Sequence, residues 1–256
     1  MFGFSPKLPI SEEERRWVDD GFTRLEKMLG RRRMLEAEVI LPAAEYFPDI
    51  YDKTPAAVEN FFRRVCGYMQ VDRSSIELDI FPDEEHELYG MLPSWQTKSA
   101  GPAGLYFHSD AYQEAGREAR KGSMLVAVRA TQLNDPLSLV ATIAHELGHV
   151  ILLGGGLLNR EAPDHEPLTD LLTVFLGLGI FTANAAVRFQ QHQDDRQQGW
   201  SMQRLGYLPQ EVFGYALAKF ALERGEVNPK WASHLSTNVR AYFKSSSAWL
   251  AKNVSS

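Results

Sequence analysis

The sequence contains only one cysteine, Cys66, among its 256 residues. A single cysteine excludes a disulfide within the chain and is typical of proteins from a reducing compartment. Cys66 lies in a predicted helical segment with apolar neighbours such as Phe62 and Val65, so we expect a thiol that packs in the core. Nothing in the sequence supports Cys66 as a metal ligand.

Positive charge is also scarce. The chain has 27 lysines and arginines against 33 aspartates and glutamates, which gives a formal net charge of −6. Its longest basic run is Arg31-Arg32-Arg33, next to the end of a predicted helix. We therefore expect no broad positive surface for nucleic acid.

Long hydrophobic runs are missing as well, and we expect no secretory leader. The longest apolar run, Leu171 to Phe181, is about half as long as a membrane span requires. The first seven residues have neither the basic start nor the apolar core of a signal peptide. These absences predict a soluble cytoplasmic protein that has neither a membrane nor a nucleic acid as its partner.

A His-Glu-x-x-His motif, from His145 to His149, carries most of the information about function. Two histidines four residues apart project from the same face of a helix, so both imidazoles can reach one Zn²⁺ ion. Glu146 is rotated by about 100° around the helix axis, where it can hold the water that the ion polarises. The alternative is a pair of core histidines bonded to backbone, with Glu146 solvated at the helix edge.

Capping signals delimit the helix that bears this motif. Asp135 is a suitable N-cap, and Pro136 occupies the first helical position, where its missing N–H costs nothing. Apolar residues then recur at helical spacing, and the glycine run at 154–156 ends the helix. The motif thus lies on a helix with the pattern of a core element, where an unpaired glutamate is costly.

A third metal ligand is expected downstream. The segment from Leu168 onward is nearly all apolar and predicts a buried helix, with Glu166 in or beside its first turn. Asp170 follows four residues later on the same face, and the outer N–H of a zinc-bound histidine is its natural partner. Glu166 is our choice for the third ligand, and His165 is the next candidate. Two further carboxylates close by are Asp164 and Glu161.

The motif followed by Glu166-x-x-x-Asp170 on a second helix resembles the gluzincin metallopeptidases, the thermolysin-like clan. The resemblance covers about forty residues. It implies that His145, His149 and Glu166 bind zinc, that Glu146 is the general base, and that Asp170 orients a histidine. Repressor-cleaving bacterial HExxH proteins are similar in motif layout too. The longer HExxHxxGxxH spacing of the metzincins is absent.

Enzymes of this clan also need a hydrogen-bond donor for the oxyanion, usually from the C-terminal half of the chain. The candidates here are Tyr207 and Tyr215, followed by His192 and His234. Tyrosines on apolar helices more often pack in the core, and the sequence does not separate the candidates.

The remaining pattern predicts an α+β fold. We expect a zincin-like core, in which a mixed sheet packs on the HExxH helix, with a helical C-terminal half and a small N-terminal α/β part. Residues 1–100 would form the N-terminal α/β region and residues 101–256 the catalytic core with its C-terminal helices. The predicted strands are Glu38 to Leu41, Ser75 to Phe81, Gly104 to His108 and Ser123 to Arg129.

Two of these segments could approach a cleft. Met124 to Arg129 leads directly into the motif helix and is either a strand near the cleft or an ordinary interior strand. The Pro/Gly-rich stretch from Pro82 to Pro102 is expected to be a loop whose Tyr89 and Trp95 either reach the cleft or cover core.

Two functional hypotheses follow. The first is a zinc-dependent metallopeptidase that hydrolyses peptide bonds of an intracellular peptide or protein, with a zinc-bound water activated by Glu146. The alternative is a zincin-fold binding or regulatory protein with a non-catalytic zinc site. A metal-dependent hydrolase of a non-peptide amide is a third, weaker possibility. The presence of a glutamate in the base position favours the first.

Overall fold

The computed structural model describes residues 7–82, 104–108, 122–191 and 208–253. Within these ranges the chain forms eight α-helices and three β-strands. The helices are α1 (Glu12–Leu29), α2 (Arg31–Leu35), α3 (Pro55–Met69), α4 (Pro136–His149), α5 (His165–Phe175), α6 (Gly179–Gln191), α7 (Gln210–Glu223) and α8 (Thr237–Asn253). The strands are β1 (Ile76–Phe81), β2 (Gly104–His108) and β3 (Met124–Arg129). This mostly helical α+β arrangement confirms the predicted fold class.

Local capping accounts for the N-terminal helices. Ser11 Oγ accepts a hydrogen bond from the Glu14 amide, and the Glu14 carboxylate accepts one from the Ser11 amide, so a capping box opens α1. Thr54 caps α3, with Pro55 in its first turn. Cys66 on α3 is buried, as predicted, and burial raises the pKa of its thiol to about 12.

The predicted strand from Glu38 to Leu41 is wrong. These residues are neither helical nor part of the sheet, and the Ile40 amide instead donates a hydrogen bond to the Gly177 carbonyl, 2.9 Å away, between α5 and α6. The apolar side chain of Ile40 is buried in the core. The run of apolar residues therefore reflects docking against the helices and not strand pairing.

The three strands form one mixed sheet in the order β1-β3-β2. β3 lies in the middle, parallel to β1 and antiparallel to β2. Residues 125–128 of β3 are all buried, as expected for a strand that is covered on both faces. Met124 to Arg129 is therefore an interior strand, and β1 and β2 are the two edge strands of the described sheet.

Helix α4 lies between the sheet and the other helices. It contacts β2 and β3 on one side and α3, α5 and α6 on others. Asp135 caps it through the amide and hydroxyl of Ser138, and a wider helical turn, Val150–Gly154, extends it to the glycine run. Together these two segments are long and apolar enough to cross a membrane, but most of that length is buried inside the structure, as in a core helix.

Candidate metal centre

Three potential metal ligands meet where α4 faces the start of α5. His145 and His149 lie one turn apart on α4, and Glu166 lies in the first turn of α5. Glu166 Oε2 is 3.0 Å from His145 Nε2 and 3.3 Å from His149 Nε2. One ligand atom from each residue lies within 4.8 Å of the others. The group is largely shielded from solvent and could hold a metal ion.

Hydrogen bonds at the outer ring nitrogens orient both histidines. His145 Nδ1 is 2.8 Å from Asp170 Oδ1, while Asp170 Oδ2 accepts a hydrogen bond from the Leu208 amide. His149 Nδ1 is 3.3 Å from Thr169 Oγ1, which donates its own hydrogen to the carbonyl of His165 and so accepts from the imidazole. Both rings therefore have an N–H at Nδ1 and turn Nε2 towards Glu166.

Sequence reasoning did not identify Thr169. Its position three residues after Glu166 puts it on the same face of α5, and this spacing could have revealed it. Gly148 on α4 makes the contact possible, because a Cβ atom at this position would lie only 2.7 Å from Thr169 Cγ2. The glycine lets α4 and α5 approach closely enough for Thr169 and Asp170 to reach the two imidazoles.

The group is electrostatically coupled. Burial opposes a charge on His145, but its hydrogen bonds with Asp170 and Glu166 outweigh that cost and raise the pKa of the imidazole well above its ordinary value. Burial likewise opposes a charge on Glu166, yet His149 and His145 hold the pKa of its carboxyl well below the usual range. For His149, burial is the largest effect and lowers the pKa. Glu166 and Asp170 thus favour a positive charge at His145, and either a proton or a metal ion can supply it.

Glu146 lies outside this group but next to it. Its carboxyl is buried, and burial raises its pKa to about 8, with the neighbouring charge of Glu166 adding to the effect. The backbone of Gly104 on β2 lies against it, since a Cβ atom at Gly104 would be 2.8 Å from Glu146 Oε1. The reading in which Glu146 is solvated at the helix edge is wrong, because the edge strand covers it.

Two more side chains extend the site away from α4, and sequence reasoning singled out neither. The Tyr106 ring on β2 stacks on His149, with ring centroids 6.2 Å apart. Arg160, between α4 and α5, donates a hydrogen bond of 3.1 Å to the Tyr106 carbonyl. Its guanidinium also lies 5.9 Å from the centre of the Tyr106 ring. An arginine in an irregular segment carries no periodic signal that could have revealed it.

The rival ligands lie nearby in different settings. His165 begins α5, with its ring centroid 5.8 Å from that of His149 and its Nδ1 3.7 Å from Glu166 Oε1. That nitrogen is buried and has no hydrogen-bond partner among the described residues. Asp164 is instead engaged by Arg24 and by the indole N–H of Trp17, and Glu161 is exposed. Of the four acidic and histidine candidates, Glu166 is the one that joins His145 and His149 in the group.

The candidate oxyanion donors are spread over the C-terminal half. The Tyr215 hydroxyl is 3.0 Å from Asp19 Oδ1, which ties α7 to α1, and burial raises the pKa of this phenol. His234 is exposed at the end of a short turn before α8. Tyr207 and His192, like Tyr89 and Trp95, lie outside the described residues.

Comparisons with known proteins give no relatives. The chain matches no protein-family model, no curated protein and no solved structure. The chemistry of the site must therefore be argued from its own residues.

Proposed function

We propose that this protein is a zinc-dependent metallopeptidase in which His145, His149 and Glu166 bind the ion and Glu146 is the general base. The observation that carries the proposal is that three ligand atoms meet at one place while a fourth group, the Glu146 carboxyl, is buried next to them. Three donors converge within 4.8 Å, while Glu146 is buried beside them without joining the group. A metal site that only stabilises the fold has no need of a further buried carboxyl.

Zinc fits the donor set. Two imidazole nitrogens and one carboxylate oxygen form the ligand set of known catalytic zinc sites, which keep a fourth position open. In a tetrahedral site with bonds of about 2.0–2.1 Å, the ligand atoms lie about 3.4 Å apart. The separations of 3.0 and 3.3 Å between Glu166 Oε2 and the two Nε2 atoms are close to this value. The carboxylate oxygen therefore lies at a suitable distance from both imidazole nitrogens to share an ion with them.

The reaction would be hydrolysis of a peptide bond. A bound zinc ion would supply a Lewis acid that lowers the pKa of a water molecule and polarises the carbonyl of the substrate. Glu146 would take the proton from this water and then deliver it to the nitrogen of the leaving amine. The Glu146 carboxyl is buried beside the proposed ligands, a setting in which it can pass a proton from the water to the leaving amine without exchange with bulk solvent. Asp170 and Thr169 would keep the imidazoles oriented throughout.

Among the candidate oxyanion donors we favour Tyr207 over Tyr215. Tyr207 directly precedes Leu208, whose amide donates a hydrogen bond to Asp170 beside the proposed zinc site. The hydroxyl of Tyr215 is already bonded to Asp19 and would have to leave that partner. His192 and His234 rank behind the tyrosines.

The competing hypothesis is a zincin-fold protein whose zinc site serves binding or regulation. Structural zinc sites are usually closed by four protein ligands. The group found among the described residues has three, which favours the enzyme.

The proposal is tested by measuring zinc content and hydrolysis of a peptide library for the wild type, Glu146→Gln and Glu166→Ala. We expect about one zinc ion per wild-type chain. Glu146→Gln should keep the zinc and lose activity by about 10²- to 10⁴-fold, because the base is lost and the ligands remain. Glu166→Ala should lose both.

The matched control is Glu161→Gln, which removes an exposed carboxylate close by in the sequence. It should retain zinc and activity. Normal hydrolysis by Glu146→Gln would remove Glu146 from the mechanism. A well-folded wild type that takes up no zinc would overturn the proposal as a whole and leave the binding hypothesis in front.

A further inference from the structure

Arg160 brings a positive charge to the edge of the proposed active site. Arg160 is an exposed residue, and its guanidinium donates a hydrogen bond of 3.1 Å to the Tyr106 carbonyl and lies 5.9 Å from the centre of the Tyr106 ring. Among the described residues no carboxylate forms an ion pair with it. By contrast, Asp164, which lies four residues after Arg160 in the chain, forms an ion pair with Arg24. An arginine anchored by a backbone carbonyl and a ring, yet unpaired, is available to an anion.

The anchor of Arg160 fixes its place relative to the reacting groups. The ring of Tyr106 stacks on His149. Gly104, two residues before Tyr106 on β2, lies against Glu146. The guanidinium is therefore held on the edge strand that covers the base. In agreement with this geometry, the charge of Arg160 contributes to lowering the pKa values of Glu146, His149 and His165.

The remaining donors of Arg160 suit one kind of ligand. A guanidinium has five N–H donors in a planar fork, and one of its nitrogens is engaged at the Tyr106 carbonyl. The other donors can bind a carboxylate through two parallel hydrogen bonds, which a neutral amide cannot match. The carboxylates of the site itself do not fill this role. Glu146 and Asp170 are buried, and Glu166 and Asp170 face the ring nitrogens of His145.

We propose that Arg160 binds a carboxylate of the peptide substrate, so that the site selects peptides with an acidic group beside the bond that is cut. This inference rests on the proposed function. The carboxylate can belong to an aspartate or glutamate side chain or to the free C-terminus of the peptide, and the two sources are separated by experiment.

The test uses three fluorescent hexapeptide pools. The first has a fixed glutamate and an amidated C-terminus, the second has glutamine in its place, and the third has glutamine with a free C-terminal carboxylate. Binding is measured by fluorescence polarisation with Glu146→Gln, which should not consume the peptides, with and without added zinc. The same pools are then offered to the wild type for hydrolysis.

We expect one of the two acidic pools to bind about tenfold more tightly than the neutral pool, because charge-assisted hydrogen bonds are the stronger kind. Arg160→Gln, combined with Glu146→Gln, should remove this preference, and Arg160→Lys should keep part of it. In the wild-type background, Arg160→Gln should raise KM for acidic peptides while leaving kcat and the hydrolysis of neutral peptides nearly unchanged. The control is Arg63→Gln, which removes an exposed arginine on α3.

The outcomes separate the two proposals. Equal binding of all three pools, or a preference that survives Arg160→Gln, would overturn the inference about Arg160. A fall in kcat for every peptide would also overturn it and would assign Arg160 to the oxyanion instead. Selective binding of an acidic pool without hydrolysis by the wild type would support the Arg160 site and count against the peptidase.

Discussion

His145 has a carboxylate at each of its ring nitrogens, Asp170 at Nδ1 and Glu166 at Nε2. In the absence of a metal ion this environment favours the imidazolium, which is why the pKa of His145 lies well above the ordinary value despite its burial. A zinc ion and this proton compete for Nε2, since a histidine must be neutral on the side that binds metal.

Zinc binding should therefore release a proton and weaken as the pH falls. Below the raised pKa of His145 the ion must displace the proton, so the affinity should drop by up to about tenfold per pH unit; above that pKa it should level off. Competition with a chelator between about pH 6 and 8 measures this dependence. Calorimetry in two buffers of different ionisation enthalpy counts the released protons.

The variant Asp170→Asn provides the control. It keeps a hydrogen-bonding group of the same size but removes one of the two charges that hold the proton. We expect zinc affinity to fall by about 10- to 100-fold, as for other second partners of metal-bound histidines. Its pH dependence should become shallower. A wild-type affinity that does not change with pH would show that His145 is neutral in the metal-free protein.

At the scale of elements, the backbone of the edge strand β2 lies directly against the motif helix α4 at Gly104. A Cβ atom at Gly104 would lie 2.8 Å from Glu146 Oε1 and 2.6 Å from Thr142 Cγ2. The strand backbone at Gly104 thus limits the positions open to the Glu146 carboxyl.

Gly104→Ala should displace Glu146 and leave the zinc ligands in place. We expect retained zinc, a clear loss of hydrolysis and a loss of stability of about 1–3 kcal/mol from overpacking. Zinc content, kcat on the best library peptide and urea unfolding measure the three effects. Gly67→Ala is the control, because Gly67 is an exposed helical position on α3 with open space around it. There alanine should stabilise the helix by about 0.5–1 kcal/mol. Full activity of Gly104→Ala would mean that β2 yields to the extra methyl group.

The helices of the site could be predicted from sequence because their signals are local. Asp135 and Pro136 open α4 at the expected residues, and the four-residue spacing of Glu166 and Asp170 places both on one face of α5. The sheet could not be ordered in this way. Whether β2 or β3 lies at the edge depends on pairing between distant segments, which the strand patterns do not contain.

The same limit explains which site residues were missed. Tyr106 joins the site by stacking on His149, 43 residues away in the chain. Arg160 joins it through the carbonyl of Tyr106, 54 residues away. No periodic spacing connects such positions. The same limit applies to Tyr215, which was a candidate for the site. The apolar pattern of its helix does not indicate that its hydroxyl bonds to Asp19 on α1.

At the scale of the whole molecule, the proposed zinc site adds to a core that exists without it. Buried apolar residues from Ile10 to Leu250 form one cluster that includes α1, α3 and the C-terminal helices. The proposed ligands come from α4 and α5 alone. Both helices also pack on other helices, and α4 packs on the sheet as well. A small zinc domain depends on its metal to fold, but a chain of this size with this core does not.

Removal of zinc should therefore lower the melting temperature without unfolding the protein. A ligand present at a hundred times its Kd stabilises the folded state by about 2.7 kcal/mol, which for a chain of this length corresponds to about 5–10 °C. We expect the helical circular dichroism at 25 °C to survive chelation while the midpoint falls by this amount. Glu166→Ala should melt at the same temperature with and without zinc, because it lacks the site. Loss of helical signal on chelation of the wild type would mean that the ion holds α4 and α5 together. The hydrogen bonds of Asp170 and Thr169 to the histidines would then form only after zinc has bound.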